Sequence, residues 1–239
     1  MWDCSASLVH GTATRVKTIL RVFFHLLYHQ FAFTYDLVAA TVSFNRWKDW
    51  VMSVIPLIEG DRVLEMGHGP GHLQRILLTL RESSGQDRNL MAVGIDESAQ
   101  MGRLAKRNLR SSLNDAHLAY TQINLTRGIA QQLPFSNESF DTIVATFPTE
   151  YITDSRTLTE VKRCLSNGGR LIVLPAALPK NPFLDWLFKV THQSPTEAIE
   201  VVKAKFKEPF AAAGFKTEVR ALDVKSGTLL LVLAVNSMP

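Results

Sequence analysis

The chain has 239 residues, a length that suits one α/β domain with some additional elements. Because 46% of its residues are hydrophobic and 20% are charged, it can bury a sizeable core and lacks the composition of a disordered chain. The net charge of +4 is only mildly basic and no run of five basic residues occurs, which argues against nucleic-acid binding. The two cysteines, Cys4 and Cys164, lack metal-ligand spacing and favour free thiols in a reducing, cytoplasmic setting, with one long-range disulfide as the open alternative.

Residues 1–46 are predicted to form a helical cap that precedes the main domain. Within this cap, residues 15–34 are unusually apolar and carry hydrophobic side chains at three- and four-residue steps, with Arg15, Lys17 and Arg21 near the start. The late start argues against a secretory signal, and the interior charges argue against an uninterrupted membrane span. Such a helix could lie on an anionic membrane surface or could cover the core or a pocket as a lid, and both interpretations stay open.

From residue 47 onward, helices and strands alternate in the predicted structure. In chain order, the patterns predict a helix (47–57), a strand (62–66), a helix (71–84), a strand (89–96), a helix (97–113), strands near 120–127 and over 139–147, a helix that ends at two glycines (154–169), a strand (170–176), a helix near 197–213 and two final strands (216–222 and 228–236). Strands separated by helices of this length indicate βαβ units and therefore an α/β fold with an open, largely parallel sheet.

A glycine-rich stretch, VLEMGHGPGHL, follows the first predicted strand and places glycines at three alternate positions: Gly67, Gly69 and Gly71. In a βαβ unit this turn lies at the carboxyl edge of the sheet, where glycines allow a tight turn and a close approach to a ligand. A dinucleotide-binding protein would have its third glycine at the position of His72, and its pyrophosphate would be repelled by Glu65. The pattern instead favours a cationic ligand with an amino-acid end and a ribose.

With an acid at the tip of the second strand, Asp96, the loop resembles motif I of the class I S-adenosylmethionine (SAM) dependent methyltransferases. The stretches YDLVAATVSFNRWKDW, LPFSNESFDTIVATF and LTEVKRCLSNGGRLIVL are similar to the ubiquinone/menaquinone C-methyltransferase-like branch (methyltransferase domain type 11), over residues 35–174. The resemblance implies a Rossmann-like, mostly parallel seven-stranded sheet with an antiparallel last strand, helices on both faces and extra N-terminal helices. Residues 47–239 would form the methyltransferase domain, and the long connection over residues 176–195 is predicted to be a substrate lid.

The cofactor that the resemblance implies is SAM, and Asp96 corresponds to the acid that accepts hydrogen bonds from both ribose hydroxyls, a role that suits a carboxylate. The predicted cofactor-binding residues are Glu65, Gly67, His68, Gly69, Gly71, Asp96, Glu97, Ile129, Ala130 and Thr146. Relatives usually have an aspartate for the adenine amino group where this chain has Ile129. Adenine recognition would then depend on backbone groups near Ala130 and on Gln131, or the affinity would fall roughly tenfold, by about 0.5–1.5 kcal/mol.

The resemblance implies direct methyl transfer, for which the protein aligns the acceptor and excludes water, and a base is needed only if the acceptor loses a proton. The catalytic candidates are Glu150, Tyr151 and Tyr35. Glu150 could instead be a solvated acid at the start of a helix, and the two tyrosines could instead pack in the core. The stretch FPTEYITD departs from the G-L-R-N-like stretch of the quinone branch and changes the wall beside the transferred methyl group. His25 and His29 lie one helical turn apart without an evident third ligand, so no metal site is predicted.

The predicted function is a SAM-dependent methyltransferase that acts on a small, lipophilic acceptor, quinone-like or other, because the apolar N-terminal helix and the predicted lid would roof the pocket with hydrophobic surface. One alternative is a phospholipid or amine N-methyltransferase at the membrane surface. A second alternative is a non-catalytic SAM-binding protein, for which Ile129 and the FPTEYI stretch leave room. The predicted location is cytoplasmic, with peripheral membrane contact through residues 15–34 as the open alternative to a lid, and no nucleic-acid partner is expected.

Overall fold

The computed structural model of the chain describes residues 47–83, 90–112, 123–179 and 195–237. Its elements are α1 (Trp47–Met52), β1 (Arg62–Met66), α2 (His72–Ser83), β2 (Met91–Asp96), α3 (Ala99–Ser112), β3 (Asn124–Arg127), β4 (Phe140–Thr146), α4 (Ser155–Cys164), β5 (Leu165–Pro179), α5 (Pro195–Ala212), β6 (Lys216–Val224) and β7 (Gly227–Val235), with short 3-10 turns at Ile55–Leu57 and Glu150–Thr153. The predicted N-terminal cap and residues 180–194 of the predicted lid lie outside the described residues, and residues 176–179 belong to β5.

The seven strands form one sheet in the order β3-β2-β1-β4-β5-β7-β6. The pairs among β1 to β5 are parallel, and β7 is antiparallel to both β5 and β6. The prediction of a mostly parallel seven-stranded sheet with an antiparallel last strand is therefore confirmed. The strand order reverses between β1 and β4, and open α/β sheets bind ligands at the carboxyl ends of the strands at such a point.

The hydrophobic core forms two layers, one on each face of the sheet. On one face, α4 and α5 contribute Leu158 and Phe210, and on the other face α1 and α2 contribute Trp50 and Leu77. The central strands are buried on both faces, which explains the apolar run from Leu229 to Val235 in β7 and from Ile143 to Ala145 in β4. None of the helices within the described part of the chain is long and apolar enough to span a membrane.

The helix predicted over residues 154–169 is wrong at its C-terminal end. It ends at Cys164, and β5 begins at the next residue. The paired glycines, Gly168 and Gly169, lie inside β5, where Gly168 has a φ of +75°. Asn236 holds this segment because its carbonyl accepts the N–H of Gly168 at 2.9 Å and its N–H donates to the carbonyl of Gly169 at 2.8 Å. The glycines therefore shape an irregular strand start rather than a helix end.

The helix predicted over residues 47–57 is also too long. The α-helix stops at Met52, and a separate 3-10 turn follows with Pro56 near its start. Proline has no N–H to donate to the carbonyl four residues earlier, so the α-helical hydrogen-bond ladder cannot continue through it. Apart from these two helices and the fifth strand, the predicted elements in the described residues agree with the structure to within four residues at each end.

Candidate functional site

The glycine-rich loop after β1 lies at the centre of the carboxyl edge of the sheet. Gly67, Gly69 and Gly71 have φ values of +68°, +50° and +86°, in the left-handed region that glycine adopts without strain. The N–H of Gly67 donates to the carbonyl of Ile95 at 2.8 Å, which ties the loop to the end of β2. A Cβ at Gly71 would lie 3.1 Å from the Cβ of Ala105, so the missing side chain also lets α3 pack closely against the loop.

Asp96 ends β2 beside this loop and joins two backbone segments. Its Oδ2 accepts a hydrogen bond from the N–H of Gly69 at 2.9 Å, and its Oδ1 accepts one from the N–H of Ser98 at 2.8 Å. The residue is half-buried, and each carboxylate oxygen has a second lone pair. Asp96 can therefore still accept hydrogen bonds from a pair of hydroxyl groups, such as those of a ribose.

Glu65 is a buried carboxyl group beneath the loop. It is only 2% exposed, and Nε2 of Gln74 in α2 donates a hydrogen bond to its Oε2 at 2.9 Å. Burial raises the pKa of Glu65 to about 8, although the hydrogen bond from Gln74 opposes the increase, and the charge of Asp96 adds to it. Glu65 is thus mostly protonated at neutral pH, and a cation bound next to it would favour the ionised form.

Two further buried polar side chains, His68 and Gln74, form a layer with Glu65 beneath the loop, and only His68 of the two was predicted from the sequence. His68 is 3% exposed, its Nδ1 lies 2.8 Å from the carbonyl oxygen of Gly69, and its Nε2 has no hydrogen-bond partner among the described residues. Gly94 leaves room for this layer because a Cβ there would lie 3.1 Å from Cδ2 of His68 and 3.3 Å from Cδ of Gln74. Gln74 could have been found from the sequence, because it is an amide on the buried face of an apolar helix. No feature of the sequence pointed to Gly94.

Two of the catalytic candidates lie at the carboxyl end of β4, and Tyr35 lies outside the described residues. Glu150 is exposed and begins the 3-10 turn that follows β4. The hydroxyl of Tyr151 donates to the carbonyl of Met66 at 3.3 Å and lies 2.8 Å from the position that a Cβ on Gly67 would take. Tyr151 therefore lies directly against the glycine loop, whereas Glu150 faces solvent.

The surroundings of Tyr151 keep its phenol protonated. Burial raises the pKa of Tyr151, and the carboxyl groups of Asp96, Glu65 and Glu97 raise it further. The side chain can therefore donate a hydrogen bond at neutral pH but is not a proton acceptor. Thr146, the last residue of β4, is half-buried at the same edge of the sheet.

A cavity of about 370 Å³ opens next to the end of β2 and is lined by Glu97, Ser98, Arg127, Gly128 and Ile129. Its volume lies within the range of small-ligand pockets. Two residues predicted to bind the cofactor, Glu97 and Ile129, thus line one cavity, and Ile129 presents a 45% exposed apolar side chain. Ala130 packs against the core, and Nε2 of Gln131 donates to Oδ2 of Asp154 at 3.4 Å.

A row of aromatic rings lies on the other side of the β4 end, and sequence reasoning missed it. The ring centroid of Phe147 is 4.2 Å from that of Trp47 and 6.0 Å from that of Trp50. Nε1 of Trp50 donates to Oγ of Ser226 at 2.8 Å. Phe147 has a φ of +51°, which is rare for a bulky residue. The sequence feature that could have indicated this row is Phe147 itself, an aromatic residue directly after a strand and before Pro148.

The chain matches the model of the ubiE/COQ5 methyltransferase family over residues 15–196, about three quarters of its length. It belongs to this family. The similarity to the quinone C-methyltransferase branch, which the sequence motifs predict, is confirmed by that match. The matched range includes the glycine loop of this ubiE/COQ5 family member, the buried Glu65 and the half-buried Asp96.

Individual relatives of this family member are distant. A demethylmenaquinone methyltransferase from Bacillus velezensis is 26% identical over 160 residues, which are 65% of this chain and 64% of that protein. A ubiquinone/menaquinone biosynthesis C-methyltransferase from Francisella philomiragia is 29% identical over 166 residues, 68% of this chain and 62% of that protein. The matched region thus spans less than two thirds of the length of these curated relatives.

Solved structures with the same fold include a SAM-dependent methyltransferase from Thermotoga maritima, described as a possible histamine N-methyltransferase. It has a TM-score of 0.54 and 19% identity and covers 89% of this chain and 99% of its own. Magnesium protoporphyrin IX methyltransferase from Synechocystis, with bound S-adenosylhomocysteine (SAH), has a TM-score of 0.52 and 19% identity over 80% of this chain and 83% of its own. At such low identity these similarities establish the fold alone.

Proposed function

We propose that this protein transfers a methyl group from SAM to a small, lipophilic, quinone-like acceptor. The observation that carries the proposal is the meeting of Glu65, Asp96 and the glycine loop at one ligand-binding edge of a chain that belongs to a methyltransferase family. The names of the demethylmenaquinone and ubiquinone/menaquinone relatives support a quinone-like acceptor.

The buried carboxyl of Glu65 fits the amino-acid end of SAM. The side chain that donates a hydrogen bond to it, Gln74, is neutral, and the described residues place no cationic side chain in an ion pair with it. The positively charged amino group of the cofactor would supply the missing cation and stabilise the ionised carboxylate. A nicotinamide dinucleotide would instead bring its pyrophosphate to the same loop, where His72 stands in place of the third glycine that dinucleotide-binding loops use.

The half-buried acid and the neighbouring cavity fit the nucleoside part. Asp96 retains free lone pairs for two ribose hydroxyls while it fixes the N–H groups of Gly69 and Ser98. The cavity beside it presents the exposed side chain of Ile129. An apolar side chain at this position would pack against the flat face of adenine, in place of the hydrogen bond that an aspartate would make.

SAM supplies a methyl group that its sulfonium already activates, so the work left to the protein is alignment and exclusion of water. Tyr151 suits a positioning role, because its protonated hydroxyl lies against Gly67 and holds the start of the loop by donating to the carbonyl of Met66. Glu150 is an ionisable side chain at this edge that could accept a proton from an acceptor carbon, since it is exposed on the turn after β4.

Calorimetric titration with SAH tests the cofactor. We expect the wild-type protein to bind SAH, Asp96→Ala to weaken binding by about a hundredfold or more through loss of charged hydrogen bonds, and NADH to give no heat of binding. Asp223→Ala is the matched control, because Asp223 is exposed on β6 and bonds to Thr228, away from the site. Absence of SAH binding to the folded wild-type protein would refute the proposal and favour a different ligand.

Methyl transfer to the acceptor needs a second assay. Protein with labelled SAM is incubated separately with 1,4-dihydroxynaphthalene, phosphoethanolamine and histamine, and the products are identified by mass spectrometry. We expect label on a ring carbon of the naphthalene diol. Label on an amine instead would replace the quinone-like acceptor with an N-methylated one, and SAH binding without any transfer would favour a non-catalytic SAM-binding protein.

A further inference from the structure

Phe147, the residue after β4, has a backbone conformation that large side chains rarely adopt. Its φ of +51° lies in the left-handed region, and such strain is concentrated at ligand-binding and catalytic sites. Two sets of contacts hold it there. Its N–H donates to the carbonyl of Leu174 at 2.7 Å, and its ring packs against Trp47 and Trp50 of α1.

These three rings form a row that is anchored at one end and accessible at the other. Trp50 is fully buried and is fixed by its hydrogen bond to Ser226. Phe147 and Trp47 lie outside it with ring centroids 4.2 Å apart and planes tilted by 32°, and both are only half-buried. A pair of large aromatic side chains thus packs against a buried anchor while part of its surface stays exposed.

The row stands beside the loop that is proposed to bind the cofactor. The pairing of β1 with β4, continued to the strand ends, brings Thr146 level with Gly67, at the usual spacing of about 4.8 Å between neighbouring strands. Phe147 follows Thr146 directly. Tyr151, from the same segment, contacts Met66 on the opposite face of the sheet. The residues after β4 therefore flank the loop on both faces.

We propose that Phe147 and Trp47 form one wall of the acceptor pocket and hold a planar, unsaturated ring of the acceptor against their exposed surface. This inference rests on the proposed function, whose methyl group would lie at the same edge of the sheet. It adds the residues that select the acceptor. These residues would favour a flat ring over a saturated ring or an open-chain amine.

The selection follows from the geometry of aromatic contacts. Two aromatic rings attract each other in offset or tilted arrangements beyond the gain from burial alone, whereas a saturated ring of the same size gains burial only. The orientation that Phe147 and Trp47 impose would also fix which face of the ring meets the methyl group. An alkylammonium ion is the rival ligand for an aromatic surface, because cations are attracted to ring faces.

The test is equilibrium binding of three probes to the full chain, with and without saturating SAH. The probes are 1,4-dihydroxynaphthalene under reducing conditions, the saturated decahydronaphthalene-1,4-diol, and tetramethylammonium. The variants are Phe147→Leu, which keeps an apolar side chain but removes the ring, and the matched Phe147→Tyr and Trp47→Phe, which keep an aromatic ring. Thermal unfolding and SAH affinity of each variant report whether the fold and the cofactor site are intact.

We expect Phe147→Leu to weaken binding of the naphthalene diol about three- to tenfold, to leave the saturated diol within about twofold, and to leave SAH affinity unchanged. Phe147→Tyr and Trp47→Phe should bind the naphthalene diol nearly as the wild type does. Equal effects on the planar and saturated diols, or no effect on either, would overturn the inference, as would preferred binding of tetramethylammonium. Loss of SAH binding in the wild type would instead count against the proposed function, and the ring-binding measurement without SAH would still decide the inference.

Discussion

Replacement of Glu65 by glutamine should change how the stability of the protein depends on pH. The buried carboxyl has a pKa of about 8 in the folded chain, against an ordinary value of 4.5, because burial disfavours its charge. The glutamine side chain would be neutral at every pH, and its carbonyl could still accept the hydrogen bond from Gln74. The substitution therefore removes the titration while it preserves most of the contacts.

The sign and size of the effect follow from proton linkage. Between about pH 5 and about pH 8 the folded chain holds a proton on Glu65 that the unfolded chain has released, so the free energy of unfolding falls as pH rises. The slope from one proton is about 1.4 kcal/mol per pH unit, or roughly 4 kcal/mol over this range. The contribution is fully present in acid, below the unfolded pKa, and is lost as the pH rises through the folded pKa.

Urea unfolding of the wild type and Glu65→Gln at several pH values between about 5 and 8 measures this directly. Other titrating groups affect both proteins alike, so the difference between the two free energies of unfolding isolates Glu65. We expect the wild type to lose stability relative to the variant by several kcal/mol as the pH rises. A difference that stays constant with pH would show that Glu65 is ionised in the folded chain and would refute the reasoning.

Three further predictions concern single positions. Gly71→Ala should lower the free energy of unfolding by about 1–3 kcal/mol, because the φ of Gly71 is +86° and a Cβ there would meet α3. Gly102 lies within α3 with open space around it, so Gly102→Ala should raise the free energy of unfolding by about 0.5–1 kcal/mol. Urea unfolding of both variants checks the contrast. Asp141→Asn should cost about 1–3 kcal/mol at neutral pH, since Asp141 accepts hydrogen bonds from the backbone and guanidinium of Arg62. Arg62 holds the pKa of Asp141 below its usual range, so this cost should disappear as the pH falls through that pKa; an equal cost in acid would contradict it. Tyr151→Phe should leave the alkaline limb of the methyl-transfer pH profile unchanged, because burial keeps the pKa of Tyr151 above the range of the assay; a shifted limb would show that the phenol ionises.

Much of the fold could be predicted because its causes are local and periodic. The strand from Arg62 to Met66 lies between the turn residues Gly60–Asp61 and the glycine loop, and its predicted bounds are those of β1. The helix end at Cys164 could not be predicted in the same way. Paired glycines after a helical pattern are typical of a helix C-terminus, but here Leu165 already pairs with Phe140 of β4, a contact that depends on the tertiary fold.

The site was predictable where a single residue type has one physical use. The alternate glycines were predicted from the tight turn that they allow, and Asp96 from its correspondence to the ribose-binding acid of class I methyltransferases; their binding of SAM stays a prediction. Gln74 and Gly94 were missed, since their roles depend on packing across two elements beneath the loop. The partnership of Phe147 with Trp47 was missed for the same reason, as the two residues lie far apart in the sequence and meet only when α1 packs against the end of β4.

The hydrogen bond between Trp50 and Ser226 joins residues 176 positions apart. Contacts of such long sequence separation form late, because the intervening chain must be ordered before they can stabilise anything. During synthesis, α1 leaves the ribosome long before the turn between β6 and β7 that anchors it. The aromatic row would thus be among the last parts of the molecule to become rigid, so a nascent chain could assemble its glycine loop well before it could discriminate among acceptors.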